Sequence, residues 1–379
     1  MMNVLPSTYG CTAGAFTYDN NGETAAIVFR TFDMLGKAEP GGKLTELDVK
    51  GVIIPSETNG EPLAYQSSAP DGSVGVQWQA KYGIVGFTCL DMMKEPVAGQ
   101  NIAGLAFHAN TLTTTKYQEV PPDQLQKALR VEQIGLWILS QFATCDEVTE
   151  ALNDVYVWGD GMGPTDFAPR VHFFVADKYG ARVGIEYING ELKTYPNVNM
   201  VTNDPPLNAQ ELNLRNYHNL NPYPLPAENV DGQEMPASFG CGMLGLPGDD
   251  SPVSRYVRGA KFIQFALPST TAEESRRLAG ELVGRMVVIK GMARQPDPKA
   301  SDTVLYDSTE WAMINDIYNN VMAWWTPQQQ RWQSVDMSKI DFSGKTPYKP
   351  IEIYRPDASM FIDVTDTLQT AAKGWWPFS

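Results

Sequence analysis

The segment from Cys11 to Asp33 leaves this chain little choice of local fold. It runs Cys-Thr-Ala-Gly-Ala-Phe-Thr-Tyr, then Asp19-Asn20-Asn21-Gly22, then, after Glu23, Thr-Ala-Ala-Ile-Val-Phe-Arg-Thr-Phe-Asp. Two runs rich in apolar and β-branched residues around an Asn-Gly turn signal specify an antiparallel hairpin. In such a pair the two residue numbers have a constant sum. A turn centred within Asn20–Gly22 therefore sets Cys11 opposite one of residues 30–32 and brings Arg30 beside it. Asp33 follows Arg30 by three positions, and on a regular strand the two face opposite sides. A bend or bulge near Thr31-Phe32 is needed for both to serve one site.

That placement matters because cysteine reacts as its thiolate, and an ordinary thiol with pKa about 8.5 is only partly ionised at neutral pH. Arg30 supplies a cation. If the Gly10–Cys11 bond is cut, the new α-amino group, with pKa near ~8, lies within one residue of the thiol and can exchange protons with it. A single residue then provides nucleophile and base. Residues 1–10, Met-Met-Asn-Val-Leu-Pro-Ser-Thr-Tyr-Gly, lack the long apolar stretch and basic start of a full signal peptide. Small residues at Thr8 and Gly10 suit the end of an export signal, a short propeptide or an artificial remnant. The first implies a periplasmic protein and the second a cytoplasmic one. A Cys–His couple is the other route to a thiolate, and it would have to recruit His108, His172 or His218, the three histidines of the chain.

The 379 residues include 29 Lys and Arg against 44 Asp and Glu, a net charge of −15. Such a chain repels phosphate backbones and anionic lipid, so nucleic acid and membranes are not expected partners. The expected partner is a small-molecule substrate. No segment approaches the ~18 unbroken apolar residues of a membrane helix. The four cysteines (Cys11, Cys89, Cys145, Cys241) lie far apart, without CxxC or a Cys/His cluster, so neither a metal nor another cofactor is expected.

Strands are expected at Tyr82–Cys89, Ile102–His108, Arg170–Ala176, Ala181–Tyr187 and Glu191–Val201, with two or three more within Trp311–Met337. Helical periodicity marks Pro122–Phe142, Cys145–Val155, Pro252–Ala266 and Ala272–Val288. Strand groups alternating with helix groups imply an α+β fold of antiparallel sheets covered by helices. Residues 11–346 read as one domain, preceded by the 1–10 leader and followed by a peripheral segment, 347–379.

Cys11-Thr12 followed by Arg30-Thr31-Phe32-Asp33 resembles the opening of the choloylglycine hydrolase family, which contains penicillin V acylases and bile salt hydrolases. Three later segments agree in order: Gly104-Leu105-Ala106-Phe107, Val201-Thr202-Asn203-Asp204-Pro205, and Gly245-Leu246-Pro247-Gly248-Asp249 running into Ser251-Pro252-Val253-Ser254-Arg255. The resemblance implies an N-terminal nucleophile hydrolase with an αββα four-layer sandwich. It implies Cys11 as nucleophile, Arg30 stabilising the thiolate, Asp33 orienting the freed amine, Asn203 donating to the oxyanion and Arg255 completing the polar network. Ala106 stands where familiar members carry Asn or Tyr on the oxyanion side, leaving its backbone N–H as donor. Lys94–Gln100 departs from the family's Met-Asn-Glu-Lys-Gly-like run, which implies a reshaped loop beside the pocket.

The implied activity is hydrolysis of a linear acyl amide of the penicillin V type, with acyl-homoserine lactones as possible natural substrates and bile salts as the alternative. An N-terminal-cysteine dipeptidase and a catalytically retired binding protein are the lesser alternatives. Met34, Phe32 and Phe107 could line an acyl pocket but are individually more consistent with core packing. The segment between Asn203 and Arg255 has the length of a family element involved in subunit assembly, which implies a homotetramer, or a dimer.

Overall fold

The computed structural model describes residues 10–37, 49–89, 93–159, 169–235, 238–297, 300–345 and 347–353. Its organising element is the expected hairpin, Cys11–Asn20 (β1) with Glu23–Lys37 (β2). Asn21 and Gly22 both take positive φ, 58° and 90°, which gives the turn the twist of the strands it joins. Cys11 pairs with Phe32 and Ala13 with Arg30, within the window set by the turn.

The remaining main strands are Val49–Ile54 (β3), Ile84–Cys89 (β4), Met93–Asn101 (β5), Leu105–Thr111 (β6), Val171–Asp177 (β7), Arg182–Ile188 (β8), Glu191–Pro196 (β9), Met200–Val201 (β10), Ala293–Asp297 (β11), Ala300–Asp316 (β12), Val321–Thr326 (β13) and Gln329–Asp336 (β14). They form two seven-stranded antiparallel sheets. The first has the order β10-β1-β2-β12-β13-β14, with β11 also on β12. The second runs β9-β8-β7-β6-β5-β4-β3. Helices Pro252–Phe265 (α4) and Ala272–Met286 (α5) cover the outer face of the first sheet. Ile134–Gln141 (α1) and Cys145–Leu152 (α2) cover the second, and Leu207–Leu214 (α3) packs beside α4. The layers are helix, sheet, sheet, helix, the expected αββα sandwich.

Aromatic residues fill the space between the sheets near Cys11. Phe32 stacks on Trp311 at 4.8 Å, and Phe87 meets Trp311 edge-on at 5.0 Å. Trp324 is buried in the same layer, whereas Trp325 and Trp332 pack from the other face of the sheet toward the helices. Met34 belongs to this inter-sheet core. Phe107 stacks on Phe173 beneath α1, so all three candidate pocket residues are core.

Local signals placed several helices well. Thr144 heads α2 in a reciprocal capping box with Glu147. Ser251 and Thr271 accept from backbone N–H groups at the starts of α4 and α5, and Pro252 occupies the first turn of α4. The expected helix at Pro122–Phe142 is largely absent: only Ile134–Gln141 is α-helical. Upstream, Ala128–Arg130 pairs in parallel with Tyr156–Trp158 and buries Ala128 and Leu129 completely, so tertiary pairing overrides the local periodicity. Lys94–Gln100 is not a loop but lies within β5. Glu191–Val201 is two strands in different sheets, and the last strands begin at Ala300 rather than Trp311. Ile351 bridges to Gly51 at the edge of the second sheet. Residues 1–9 of the expected leader and 354–379 of the expected tail lie outside the described residues.

Replacing Trp311 by Ala removes the stacking partner of Phe32 and the edge partner of Phe87 from a fully buried position. Urea denaturation should show a loss of about 3–5 kcal/mol, whereas a loss below about 1 kcal/mol would contradict this view of the inter-sheet core.

Candidate active site

Cys11 is the first residue of β1, and its two ends face different neighbours. Its side chain shares the inter-sheet face with Phe32 and Arg30, because paired residues and alternate residues on a strand point the same way. Arg30 Nη2 donates to Cys11 Sγ at 3.5 Å, and the guanidinium also reaches Val97 O at 3.1 Å and Ala109 O at 2.6 Å. Those two carbonyls belong to β5 and β6, whose register runs Ala106–Gln100, Phe107–Gly99, His108–Ala98. The next pair in that register would be Ala109 and Val97. Arg30 reaches across from the first sheet and occupies that place, so one buried cation binds both sheets and the thiol. Phe32 and Trp311 flank it, with ring centroids 5.4 and 5.3 Å from its Cζ.

On the opposite face lie the groups that hold the backbone of Cys11. The pairing of β10 with β1, Ala13 with Val201 and Gly14 with Met200, carries Asn203 to the position facing Cys11. Cys11 N–H donates to Asn203 Oδ1 at 2.9 Å, and Arg255 Nη2 donates to the same oxygen at 2.8 Å. Two donors on one oxygen settle the orientation of this amide, leaving Nδ2 to donate to Thr111 O at 2.9 Å with one further N–H to spare. Arg255 Nη1 donates to Cys11 O at 2.7 Å and to Thr12 Oγ1 at 2.6 Å. Its own position follows from the start of α4: Asp249 accepts from Ser251 N–H and Ser254 Oγ, and Asp250 O accepts from Arg255 Nε at 2.9 Å. The hydroxyls of Ser251 and Ser254 draw the Asp249 pKa down to about 2.

Asp33 occupies this second face too. Its carboxylate accepts from Thr309 Oγ1 at 2.5 Å and Thr31 Oγ1 at 3.4 Å and stands 4.0 Å from Arg255 Nη1. A register shift does occur, between Phe32 and Asp33, and the extra residue is Glu310 on β12. It leaves Arg30 and Asp33 on opposite faces. What unites them is that Cys11 ends the strand, with its thiol toward Arg30 and its amide end toward Asp33.

Burial sets the charge states. It pushes the Cys11 thiol up, and the attraction of Arg30 opposes this without cancelling it. Burial also raises Asp33 to about 6, against the pull of Arg255 and the two threonine hydroxyls. Asp307, on β12 two residues before Thr309, is raised to about 7 by burial and by repulsion from Asp33. With Gly10 attached, the site thus contains a neutral thiol and a carboxyl pair that resists full ionisation.

Ala106 is not part of this arrangement. It lies just past the Ile102–Gly104 turn, paired with Gln100 on one side and Ala176 on the other, and its side chain joins the core with Ala13 and Phe174. The part of β6 that borders Cys11 and its partners is Ala109–Thr111, and Thr111 lies five residues, or about 17 Å of strand, from Ala106. The histidines take no part as bases. His108 is buried near Arg30, and burial and that cation hold its pKa well below the ordinary value. His218 is exposed. His172 bonds Glu186 at 2.9 Å and Thr202 O at 3.0 Å, while Glu186 also accepts from Leu207 N–H. That buried pair braces the Thr202-Asn203 turn from below. Glu186, Thr111, Thr309 and Asp307 were missed by sequence reasoning, and His172 was named only as a candidate base; strand pairing reveals where all five stand. Among the described residues no group of three His, Cys, Asp or Glu could hold a metal.

Comparison with known proteins gives the family and the fold. The chain is 28% identical over 276 residues to a bile salt hydrolase/transferase of Lactiplantibacillus plantarum, covering 68% of this chain and 78% of that protein. It is 23% identical over 298 residues to a penicillin V acylase of Pectobacterium atrosepticum, covering 75% and 74%. The match to a conjugated bile acid hydrolase of Lactobacillus acidophilus, 30% identical, spans 47% of this chain and 55% of that protein. In fold it resembles a conjugated bile acid hydrolase from Clostridium perfringens (TM-score 0.73, 19% identity, 93% and 99% of the two chains) and a penicillin V acylase from Agrobacterium tumefaciens (0.66, 20%, 89% of each). Residues 23–341 match the linear amide C–N hydrolases of the choloylglycine hydrolase family, a span that begins after Cys11 and includes Arg30, Asp33, Asn203 and Arg255. This chain belongs to that family.

Proposed function

We propose that this protein hydrolyses linear acyl amides through Cys11 once residues 1–10 have been removed, with penicillin V-type amides as its preferred class. The observation that carries the proposal is the division of Cys11 between two faces, the thiol on Arg30 and the amide nitrogen on Asn203 beside Asp33. A buried thiol raised above its ordinary pKa needs a base within reach, and a free α-amino group at that nitrogen supplies one. The thiolate that results is also the counter-ion the buried Arg30 lacks among its carbonyl partners.

The cycle runs as follows. The α-amine takes the thiol proton, and Sγ attacks the substrate carbonyl carbon. The resulting oxyanion receives the spare Nδ2–H of Asn203, and the second donor comes from the Thr111 end of β6. The ammonium protonates the leaving amine as the C–N bond breaks. Water, deprotonated by the same amine, then cleaves the thioester and releases the acid. Asp33 orients the ammonium, and Arg255 holds Asn203 Oδ1 and the carbonyl of Cys11 so that neither can drift.

Conjugated bile salts are the second reading, favoured by the bile salt hydrolases among the relatives. Self-assembly, as a tetramer, fits the exposed Tyr223, Phe239 and Leu244 (74%, 102% and 80% accessible) between Asn203 and Arg255. Light scattering of a Phe239→Ser/Leu244→Ser variant should then give a smaller mass than the wild type, and an unchanged mass would contradict assembly through this segment.

Turnover of penicillin V, glycocholate and a long-chain acyl-homoserine lactone, measured side by side, should be highest for penicillin V. Inactivity toward all three would contradict both readings. Asn203→Ala should lower kcat on the order of 10²–10³-fold, while an unchanged kcat would remove Asn203 from the oxyanion site. Asp33 must be ionised to pair with the ammonium. Since burial places its pKa at about 6 with Gly10 attached, and the ammonium can only lower it, kcat/KM should fall as pH drops through 6 or below. Asp33→Asn should abolish that limb, and a limb unchanged in the variant would assign it elsewhere.

A further inference from the structure

The proposed cycle makes no use of Asp307, yet this side chain is built into the junction between the leader and the nucleophile. It is buried on β12, the Gly10 backbone N–H helps to hold its carboxylate ionised, and its Oδ2 lies against the side of Gly10 where a Cβ would stand. Its second oxygen, Oδ1, is buried with no hydrogen-bond partner among the described residues. The other end of Gly10 is held as firmly: Gly10 O accepts from Asp33 N–H at 2.8 Å. Cys11 N–H donates to Asn203 Oδ1 at 2.9 Å. The peptide bond between Gly10 and Cys11 is therefore gripped on both sides, and the N–H on Gly10 O stands where negative charge would develop if that carbonyl were attacked.

The grip leaves no room for a side chain at position 10. A Cβ there would lie 2.8 Å from Asp307 Oδ2 and 3.2 Å from both Cβ and Oδ2 of Asp33. The first distance is shorter than real Cβ contacts allow, so Asp307 would have to release Gly10 N–H to admit even a methyl group.

We propose that Asp307 is a positioning residue for removal of the leader: it holds Gly10 N–H so that the Gly10 carbonyl is presented to Cys11, and it thereby makes glycine the required residue at position 10. The proposal rests on the reading of Cys11 as a nucleophile that must first free its own amine. In the step concerned, Cys11 Sγ bonds to the Gly10 carbonyl carbon and the Gly10–Cys11 C–N bond breaks, with the thiol proton ending on the released α-amine. Water then cleaves the thioester, giving the Gly10 carboxylic acid and restoring the thiol. Asp33 N–H carries the oxyanion, and Asp307 fixes the acyl side of the bond being broken.

The test follows loss of residues 1–10 by mass spectrometry in freshly synthesised full-length chain, with melting curves to confirm folding. Asp307→Ala should slow the loss by on the order of ten-fold or more, whereas Asp307→Asn, whose amide oxygen still accepts Gly10 N–H, should stay near the wild-type rate. Gly10→Ala should be slow as well, and in an Asp307→Gly background it should slow the loss little further, because the carboxylate it collides with is already gone. That non-additivity separates a shared contact from two independent losses of stability, which would multiply, so multiplied effects in the double variant would overturn the proposal even if Asp307→Ala folds poorly. Wild-type rates in Asp307→Ala, or in Gly10→Ala, would overturn the proposal alone. Retention of the leader by the wild type, or its loss from Cys11→Ala, would overturn the underlying reading and the proposal with it.

Discussion

A single buried cation organises this molecule. Arg30 leaves the first sheet, enters the second where β5 and β6 would otherwise continue to pair, and replaces their next rung with its own hydrogen bonds to Val97 and Ala109. Burying a guanidinium is costly unless its donors are met. Two carbonyls and a sulfur take hydrogen bonds from Nη1 and Nη2 here and two aromatic faces flank the charge, while Nε–H has no partner among the described residues. The arrangement ties the spacing of the sheets to the electrostatics of the Cys11 thiol, because displacing either carbonyl would move the charge away from it.

Cys11 itself owes its unusual surroundings to standing at the end of a strand. A residue within a strand shows its neighbours one side chain, and its backbone is committed to the ladder. At the end of β1 the amide nitrogen is instead handed to Asn203, the carbonyl to Arg255, and the preceding carbonyl to the Asp33 N–H. The same geometry serves two purposes. With Gly10 attached it holds a peptide bond, and with Gly10 gone it would hold an amine between Asn203 and Asp33.

The parts of the site readable in the sequence were those fixed by short-range geometry. The Asn21-Gly22 turn sets the register of β1 and β2, so Arg30 could be placed beside Cys11 by arithmetic. The Asp249–Pro252 run is a helix start whatever surrounds it, so Arg255 could be placed in the first turn of α4. Asp33 needed the three-dimensional view, since its relation to Arg30 is opposition across the strand and the irregularity sits on β12, far along the chain. Ala106 was misplaced for a related reason. Short apolar segments do not announce their register, and without β5 in view nothing showed that Ala106 lies beside the hairpin turn while Thr111 lies beside Asn203. The helix expected at Pro122–Phe142 failed because Ala128 and Leu129 gain more by pairing with Tyr156–Trp158 than by local periodicity. Asp307 and the His172–Glu186 pair carry no local signature at all.

The central claim is that the reacting species is Cys11 with its amine free. Acid quenching during turnover of penicillin V, followed by peptide mass mapping, tests it most directly. The account predicts an acyl group in thioester linkage on the peptide that begins at Cys11, found only on chains lacking residues 1–10. An acyl group on Cys89, Cys145 or Cys241, or on chains that still carry Gly10, would contradict it.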